Sequence, residues 1–164
     1  VPYPWDTRWT RKYIPEQGGL TVEKGMTHIY SGKGSTLVAL GLCVRALGAG
    51  LRVSFVRFPE SAHLPGDLSS FMNSGDFHYL YLESREKDLI LDRVSSEINL
   101  GKPDMMILDG ILDLASPEGI LAAKDLMGIM EGKRCDLELV MTGEVSLPAL
   151  EDRADVVSDL SEVE

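Results

Sequence analysis

One stretch of this sequence, residues 26–56, constrains the fold more than any other. It begins with a short apolar segment at 26–30, which predicts a strand. Glycines and a lysine follow, and apolar residues then recur at helical spacing over residues 36–47 before two further glycines end the helix. Residues 51–56 predict a second strand. Strand, glycine turn, helix and strand within about thirty residues make a βαβ unit, whose two strands run parallel.

The remainder of the chain repeats this alternation. Segments that predict strands lie at 77–81, 104–109, 137–141 and 154–159, and helical patterns lie at 84–100, 116–130 and 148–152. The second of these helices is predicted to begin at Ser116 because serine caps, Pro117 suits the first turn and Glu118 suits the helix dipole. Alternating strands and helices predict an α/β domain with a parallel sheet and helices on both faces.

The first 24 residues do not share this pattern. They are rich in proline, aromatic and charged residues without a clean period, and they predict an extended N-terminal arm preceding an α/β domain over residues 25–164. An arm packed on its own domain and a partner-binding tail both remain open. The length of 164 residues and the hydrophobic content of 44% are those of one globular domain with a real core.

Charge and composition exclude several partner classes. A formal net charge of −10 would repel duplex DNA or RNA. No apolar run reaches the roughly 18 residues that a membrane helix needs, and the first residues lack the features of a secretory signal. Cys43 and Cys135 lie far apart and fit a reduced protein better than a disulfide framework. These observations predict a cytoplasmic protein without nucleic-acid or membrane partners.

The glycine turn after the first predicted strand has the chemistry of a phosphate site. Gly32 and Gly34 would let backbone amides approach an anion, and the following helix offers free N–H groups and a positive dipole end. Lys33 adds a charge, while Ser35 or Thr36 offers a hydroxyl to Mg²⁺. We interpret the segment as a phosphate-loop remnant. A tight glycine turn without a ligand is the alternative.

The remnant departs from the full phosphate loop, G-x-x-x-x-G-K-[ST]. Ile29 and Tyr30 occupy the candidate positions of its first glycine, and Ser35 stands where the lysine belongs. The motif alone is therefore a weak signal.

Polar residues follow other predicted strands, at the edge where parallel sheets bind ligands. Asp109 ends an apolar strand, as the Mg²⁺-organising acid of nucleotide-binding sheets does. The turn at residues 142–144 and Asp159 fall at the same edge. An ordinary polar strand end is the alternative for Asp109.

Together these segments resemble the P-loop type ATP:corrinoid adenosyltransferases. The family sequence T-G-x-G-K-G-K-T-T-A-A-F-G-L-A-x-R-A-x-G-x-G-x-x-V is similar to residues 31–53. The family's G-E-G-F-T-W, L-D-E, V-x-T-G-R and A-D-L-V-T-E are similar to residues 74–79, 108–110, 140–144 and 154–159. The order and spacing hold over most of the chain, from residue 26 to about residue 163.

The resemblance implies a P-loop NTPase fold of the RecA-like type and transfer of the adenosyl group of ATP to the cobalt of a reduced corrinoid. ATP with Mg²⁺ and a corrinoid would be its small-molecule ligands. By resemblance, the triphosphate would be bound by Gly32, Lys33, Gly34, Ser35 and Thr36, and the metal by Thr36 and Asp109. Asp109 and Thr142 would act in catalysis. Phe77 and Tyr79 would lie near the corrin ring, and we expect both at the carboxyl edge of the sheet, facing a cleft with Asp109. Packing of these two rings in the core is the alternative.

Three charged family residues are absent. Ser35 replaces the loop lysine, Gly110 replaces a glutamate, and Glu144 replaces an arginine. The sequence therefore predicts weak or lost catalysis in a protein related to these transferases. The alternatives are a non-catalytic relative that binds a nucleotide, a corrinoid or a partner, and an enzyme of the same fold acting on another phosphorylated ligand. Assembly as a homodimer is left open.

Overall fold

The computed structural model describes residues 24–61 and 75–160 in full, and residues 14–16 and 19–21 as backbone. Strands β1 (Ile14–Glu16) and β2 (Gly19–Thr21) form a two-stranded antiparallel sheet. They lie within the segment predicted as an extended arm, of which residues 1–13, 17–18 and 22–23 fall outside the described ones.

The domain is built on one parallel sheet of six strands. These are β3 (Thr27–Ser31), β4 (Val53–Arg57), β5 (Phe77–Tyr81), β6 (Met105–Asp109), β7 (Glu138–Gly143) and β8 (Val156–Asp159). Their order across the sheet is β5-β4-β6-β7-β3-β8, and every pairing is parallel. The predicted α/β parallel sheet is confirmed.

Helices cover both faces of this sheet. The elements are α1 (Ser35–Gly48), α2 (Lys87–Ser96), a π-helical turn (Glu97–Gly101), α3 (Ile111–Leu114), α4 (Ala123–Gly132) and α5 (Pro148–Glu151). Alternate residues of β6 divide the core: Met105 and Ile107 pack with α1, whereas Met106 and Leu108 pack with α2 and α4. All five β6 residues are buried, because a central parallel strand is covered on both sides.

The predicted helix start at Ser116 is wrong. Residues 116–121 form turns, in which the Leu121 N–H donates to the Leu114 carbonyl at 2.8 Å. The helix begins at Ala123 instead, where the Asp125 carboxylate accepts the Ala122 N–H at 2.7 Å. These tertiary and capping contacts outweigh the preference of the local sequence for a helix start at Ser116.

The predicted helix over 84–100 is shorter and less regular than its periodicity suggested. It begins at Lys87 and changes to the π-helical turn at Glu97. Arg134 holds that turn, donating to the Ile98 carbonyl at 2.8 Å and to the Pro103 carbonyl at 2.7 Å. None of the helices in the described part of the chain combines the length and the apolar character of a membrane span.

Candidate functional site

The carboxyl edge of the sheet brings most of the predicted site residues together. In the register, Ser31 lies beside Gly143 and Asp159, and Arg57 lies beside Asp109. The glycine turn, Asp109 and Thr142 therefore surround one small region, as expected for strand ends of a parallel sheet.

The glycine turn is shorter than a phosphate loop. Strand β3 ends at Ser31 and α1 begins at Ser35, which leaves residues 32–34 as the whole connection. Gly32 and Gly34 have φ values of 93° and 92°, a left-handed conformation that glycine adopts without strain. A full phosphate loop places four residues between its two glycines. Here residues 29–31, which match the start of that loop, remain in β3, so that only residues 32–34 are left to form the turn.

Three donors at the ends of the turn are bonded within the protein. The Gly32 N–H donates to the Gly143 carbonyl at 3.0 Å, and the Ser35 N–H donates to the Gly32 carbonyl at 3.2 Å. The Ser35 hydroxyl also donates to the Gly143 carbonyl at 3.2 Å, and the side chain is buried. Ser35 therefore ties the turn to β7, and these groups are not free to receive an anion.

The space between the turn and the neighbouring strand ends is small. Its volume is about 10 Å³, which is room for about one water molecule. Thr36, Ser61, Gly110, Asp113 and Glu144 contribute to its wall, so that acidic side chains stand where a triphosphate would need cations. The Lys33 side chain is exposed.

Asp109 is the centre of a buried polar cluster. Its side chain is fully buried, and its Oδ1 accepts hydrogen bonds from the hydroxyls of Thr36 and Thr142, each at 2.7 Å. Arg57 Nε donates to the other oxygen, Oδ2, at 2.9 Å. The Thr142 hydroxyl in turn accepts the Gly110 N–H at 3.1 Å. The predicted partners Thr36, Asp109 and Thr142 are thus in direct contact.

A divalent metal fits this cluster poorly. The Thr36–Asp109 contact alone would suit a metal site, but the Arg57 guanidinium already lies against Asp109 Oδ2. A dication about 4 Å from that guanidinium would be repelled by about 8 kcal/mol at an effective dielectric near 20. Among the described residues, no group of three or more His, Cys, Asp or Glu side chains is arranged to hold a metal.

Gly110 occupies a position that only glycine fits. Its φ is 89°, and a Cβ placed on it would lie 2.8 Å from the backbone nitrogen of Ser61. The backbone conformation at this position therefore excludes the glutamate that the family has there.

Two residues that the sequence reasoning missed complete the site. Arg57 gave no signal beyond being a cation at the end of a predicted strand. Asp113 follows β6 by one turn of α3, and its carboxylate accepts the N–H groups of Glu144 and Val145 at 2.9 and 3.0 Å. Asp113 thereby fixes the turn that carries Glu144. The clue available in the sequence was that Asp113 lies four residues after Asp109, the end of a predicted strand.

Burial raises the pKa of the Asp113 carboxyl, and the nearby carboxylates of Glu144 and Glu60 raise it further, against the lowering effect of its backbone hydrogen bonds. A raised folded-state pKa means that the group contributes stability below its unfolded pKa, and that this contribution is lost as pH rises through the folded pKa.

We therefore expect Asp113→Asn to be more stable than the parent at pH 7 by about 0.5 kcal/mol, because Asn keeps an acceptor oxygen without the charge. The advantage should disappear near pH 4. Thermal unfolding at both pH values tests this, with the exposed Asp92→Asn as the control that should show no such trend. A gain that persists at pH 4 would contradict the electrostatic explanation.

The expectation that Phe77 and Tyr79 both lie near the carboxyl edge is wrong for Phe77. Phe77 is the first residue of β5 and pairs with Val53, the first residue of β4, so it lies at the amino edge. Its ring is buried among the residues that pack on α1. Tyr79 is half-buried in the middle of β5 and stacks on Phe55 with ring centroids 6.3 Å apart. Tyr81, 48% exposed, ends the strand on the same face.

Comparison with known proteins agrees with this architecture. Residues 23–164 match the family described as ATP:corrinoid adenosyltransferase BtuR/CobO/CobP. A corrinoid adenosyltransferase of Pseudomonas aeruginosa is 26% identical over 160 residues, covering 89% of this chain and 76% of that protein. Members of this family have a P-loop type α/β fold and act on ATP and corrinoids. With its six-stranded parallel sheet and a match over nearly all of its length, this chain belongs to the ATP:corrinoid adenosyltransferase family.

Proposed function

We propose that this chain is a corrinoid adenosyltransferase relative in which transfer from ATP is weak or lost. The observation that carries the proposal is the three-residue turn between Ser31 and Ser35, in which the Gly32 N–H, the Ser35 N–H and the Ser35 hydroxyl bond to the protein itself. A triphosphate could use these three donors only after their hydrogen bonds to the protein were broken.

Electrostatics support the same conclusion. Adenosyl transfer leaves triphosphate as the departing group, and positive charge aimed at it is usually the largest catalytic contribution. The family positions that supply such charge are Ser35 and Glu144 here. Glu144 and Asp113 instead place negative charge around the small cavity. Losing one preorganised contact of this kind typically costs about a hundredfold to a thousandfold in rate.

The corrinoid part of the proposal rests on the family and on the exposed aromatic residues of β5. Tyr79 and Tyr81 lie on one face of this edge strand, increasingly exposed toward the carboxyl edge. Aromatic rings cover a flat macrocycle by dispersion and exclude water from it. We propose Tyr79 as a corrinoid contact, whereas the buried Phe77 at the amino edge is too far from this site.

A non-catalytic relative that binds a corrinoid or a partner protein is the second candidate function, favoured by the bonded donors of the glycine turn.

We further propose a cytoplasmic location and small-molecule ligands without nucleic acid. The two cysteines, Cys43 and Cys135, are free thiols, as in reducing compartments. A homodimer stays a proposal.

Calorimetry with ATP–Mg²⁺ and with cobalamin in separate titrations tests the proposal. We expect a corrinoid signal that Tyr79→Leu weakens, and ATP binding at least about tenfold weaker than in the Pseudomonas aeruginosa relative. Lys33→Ala shows whether the exposed lysine carries the residual anion affinity. Tight ATP binding by the parent would overturn the closed-site proposal, and loss of any corrinoid signal would favour the partner-binding candidate.

A further inference from the structure

The buried carboxylate of Asp109 needs a positive partner, because an isolated charge in the protein interior is very unfavourable. In a site that uses a divalent metal, the metal supplies much of that compensation. Here the compensating charge is covalently part of the chain. Arg57 is the last residue of β4, and the parallel register sets it directly beside Asp109, the last residue of β6.

Arg57 is fixed at both ends of its guanidinium group. Nε donates to Asp109 Oδ2 at 2.9 Å, and Nη2 donates to the Ser61 hydroxyl at 2.7 Å. Its side chain is only 11% exposed. A planar guanidinium with several donors suits such a two-ended arrangement, whereas a mobile ammonium does not.

The turn after β4 is closed around this arginine. Ser61 Oγ donates to the Phe58 carbonyl at 2.7 Å, and the Phe58 N–H donates to the Asp109 carbonyl at 3.0 Å. The backbone of Ser61 also packs against Gly110, where no side chain would fit. Arg57 cannot swing away from Asp109 without breaking contacts of this turn.

We infer that Arg57 is a built-in cation that replaces a divalent metal at Asp109, and that the carboxyl edge of this protein is organised without metal. This goes beyond the proposed function, because it concerns what holds the site together in any state of ligation. The role of Arg57 requires neither ATP nor a corrinoid. The inference would also hold for an active enzyme, provided that the nucleotide carries its metal at a position other than Asp109.

The test compares divalent-metal effects on the parent and on four variants, Arg57→Gln, Arg57→Lys, Asp109→Asn and Arg57→Gln with Asp109→Asn. Thermal midpoints are measured in EDTA and in millimolar MgCl₂, and Mn²⁺ binding is followed by electron paramagnetic resonance. Arg93→Gln, which removes the partly exposed Arg93–Glu97 ion pair, controls for loss of an arginine.

The parent should show the same midpoint in both buffers and no tightly bound Mn²⁺. Arg57→Gln should unfold at lower temperature in EDTA, and MgCl₂ should restore part of the loss, since Asp109 then lacks its cation. The double variant should be more stable than Arg57→Gln and should not respond to metal. If Arg57→Gln does not fold, Arg57→Lys should fold and remain without bound Mn²⁺. Parent protein that binds Mn²⁺ and loses it in Asp109→Asn would overturn the inference, as would Arg57→Gln with an unchanged midpoint.

Discussion

The purified protein, mixed with ATP, Mg²⁺ and reduced cobalamin, is expected to form the Co–C bond at least about a hundredfold more slowly than the Pseudomonas aeruginosa relative. The physical reason is the missing positive charge at the departing triphosphate, together with a turn whose Gly32 and Ser35 donors are already bonded to the protein. The spectral change on Co–C bond formation under reducing conditions measures the rate. Turnover equal to that of the relative would show that another group supplies the cation.

Restoring the two missing cations by Ser35→Lys with Glu144→Arg should recover little of this rate. Ser35 is buried and bonded to Gly143, and the turn before it keeps only three residues. Replacing residues 29–36 by the family sequence T-G-x-G-K-G-K-T, which has the same length, together with Glu144→Arg, should recover about tenfold or more. The same graft with serine in place of its last lysine is the matched control. Full recovery by the two point substitutions alone would show that the conformation of the turn is unimportant.

Gly110→Glu is expected to destabilise the protein by about 3 kcal/mol or more, although it restores a family residue. Any L-residue at this position would adopt a strained positive φ, and its Cβ would meet the Ser61 backbone at 2.8 Å. The loss should appear as a lower midpoint in chemical denaturation, and Gly110→Ala should show most of it.

The matched control for Gly110 is Gly128→Ala in α4, where an added Cβ meets nothing within 4 Å. This helical glycine has no steric demand, so alanine should stabilise the protein by about 0.5–1 kcal/mol. Equal effects at positions 110 and 128 would mean that the backbone at Gly110 relaxes freely. The contrast between the two glycines therefore separates a local steric requirement from general helix and loop preferences.

Local pattern was sufficient to predict the architecture. The apolar segment before the glycine turn, the helical spacing after it and the apolar run ending at Asp109 each correspond to an observed element. The residues at which helices begin and end were less predictable. Ser116 looked like a helix start, but the bond from the Leu121 N–H to the Leu114 carbonyl keeps that segment in turns, and a sequence does not display such a contact.

The candidate site was predictable in its members but not in its pairings. Thr36, Asp109 and Thr142 were expected at one edge, and their hydroxyl–carboxylate contacts agree with that grouping. Arg57 was missed because its role depends on the register between two strands far apart in sequence. Phe77 was misplaced although it was predicted as the first residue of its strand, which already puts it at the amino edge.

The position of β3 in the sheet has a consequence for how the chain folds as it is synthesised. Ile29 pairs with Met141 on one side and with Val157 on the other, so both neighbours of this early strand are made last. Pairings between such distant segments form slowly, because a long loop must close first. On the ribosome, β3 has no partner in the sheet until β7 emerges. The turn at residues 32–34 needs the Gly143 carbonyl, and it is therefore among the last parts of the domain to take its final shape.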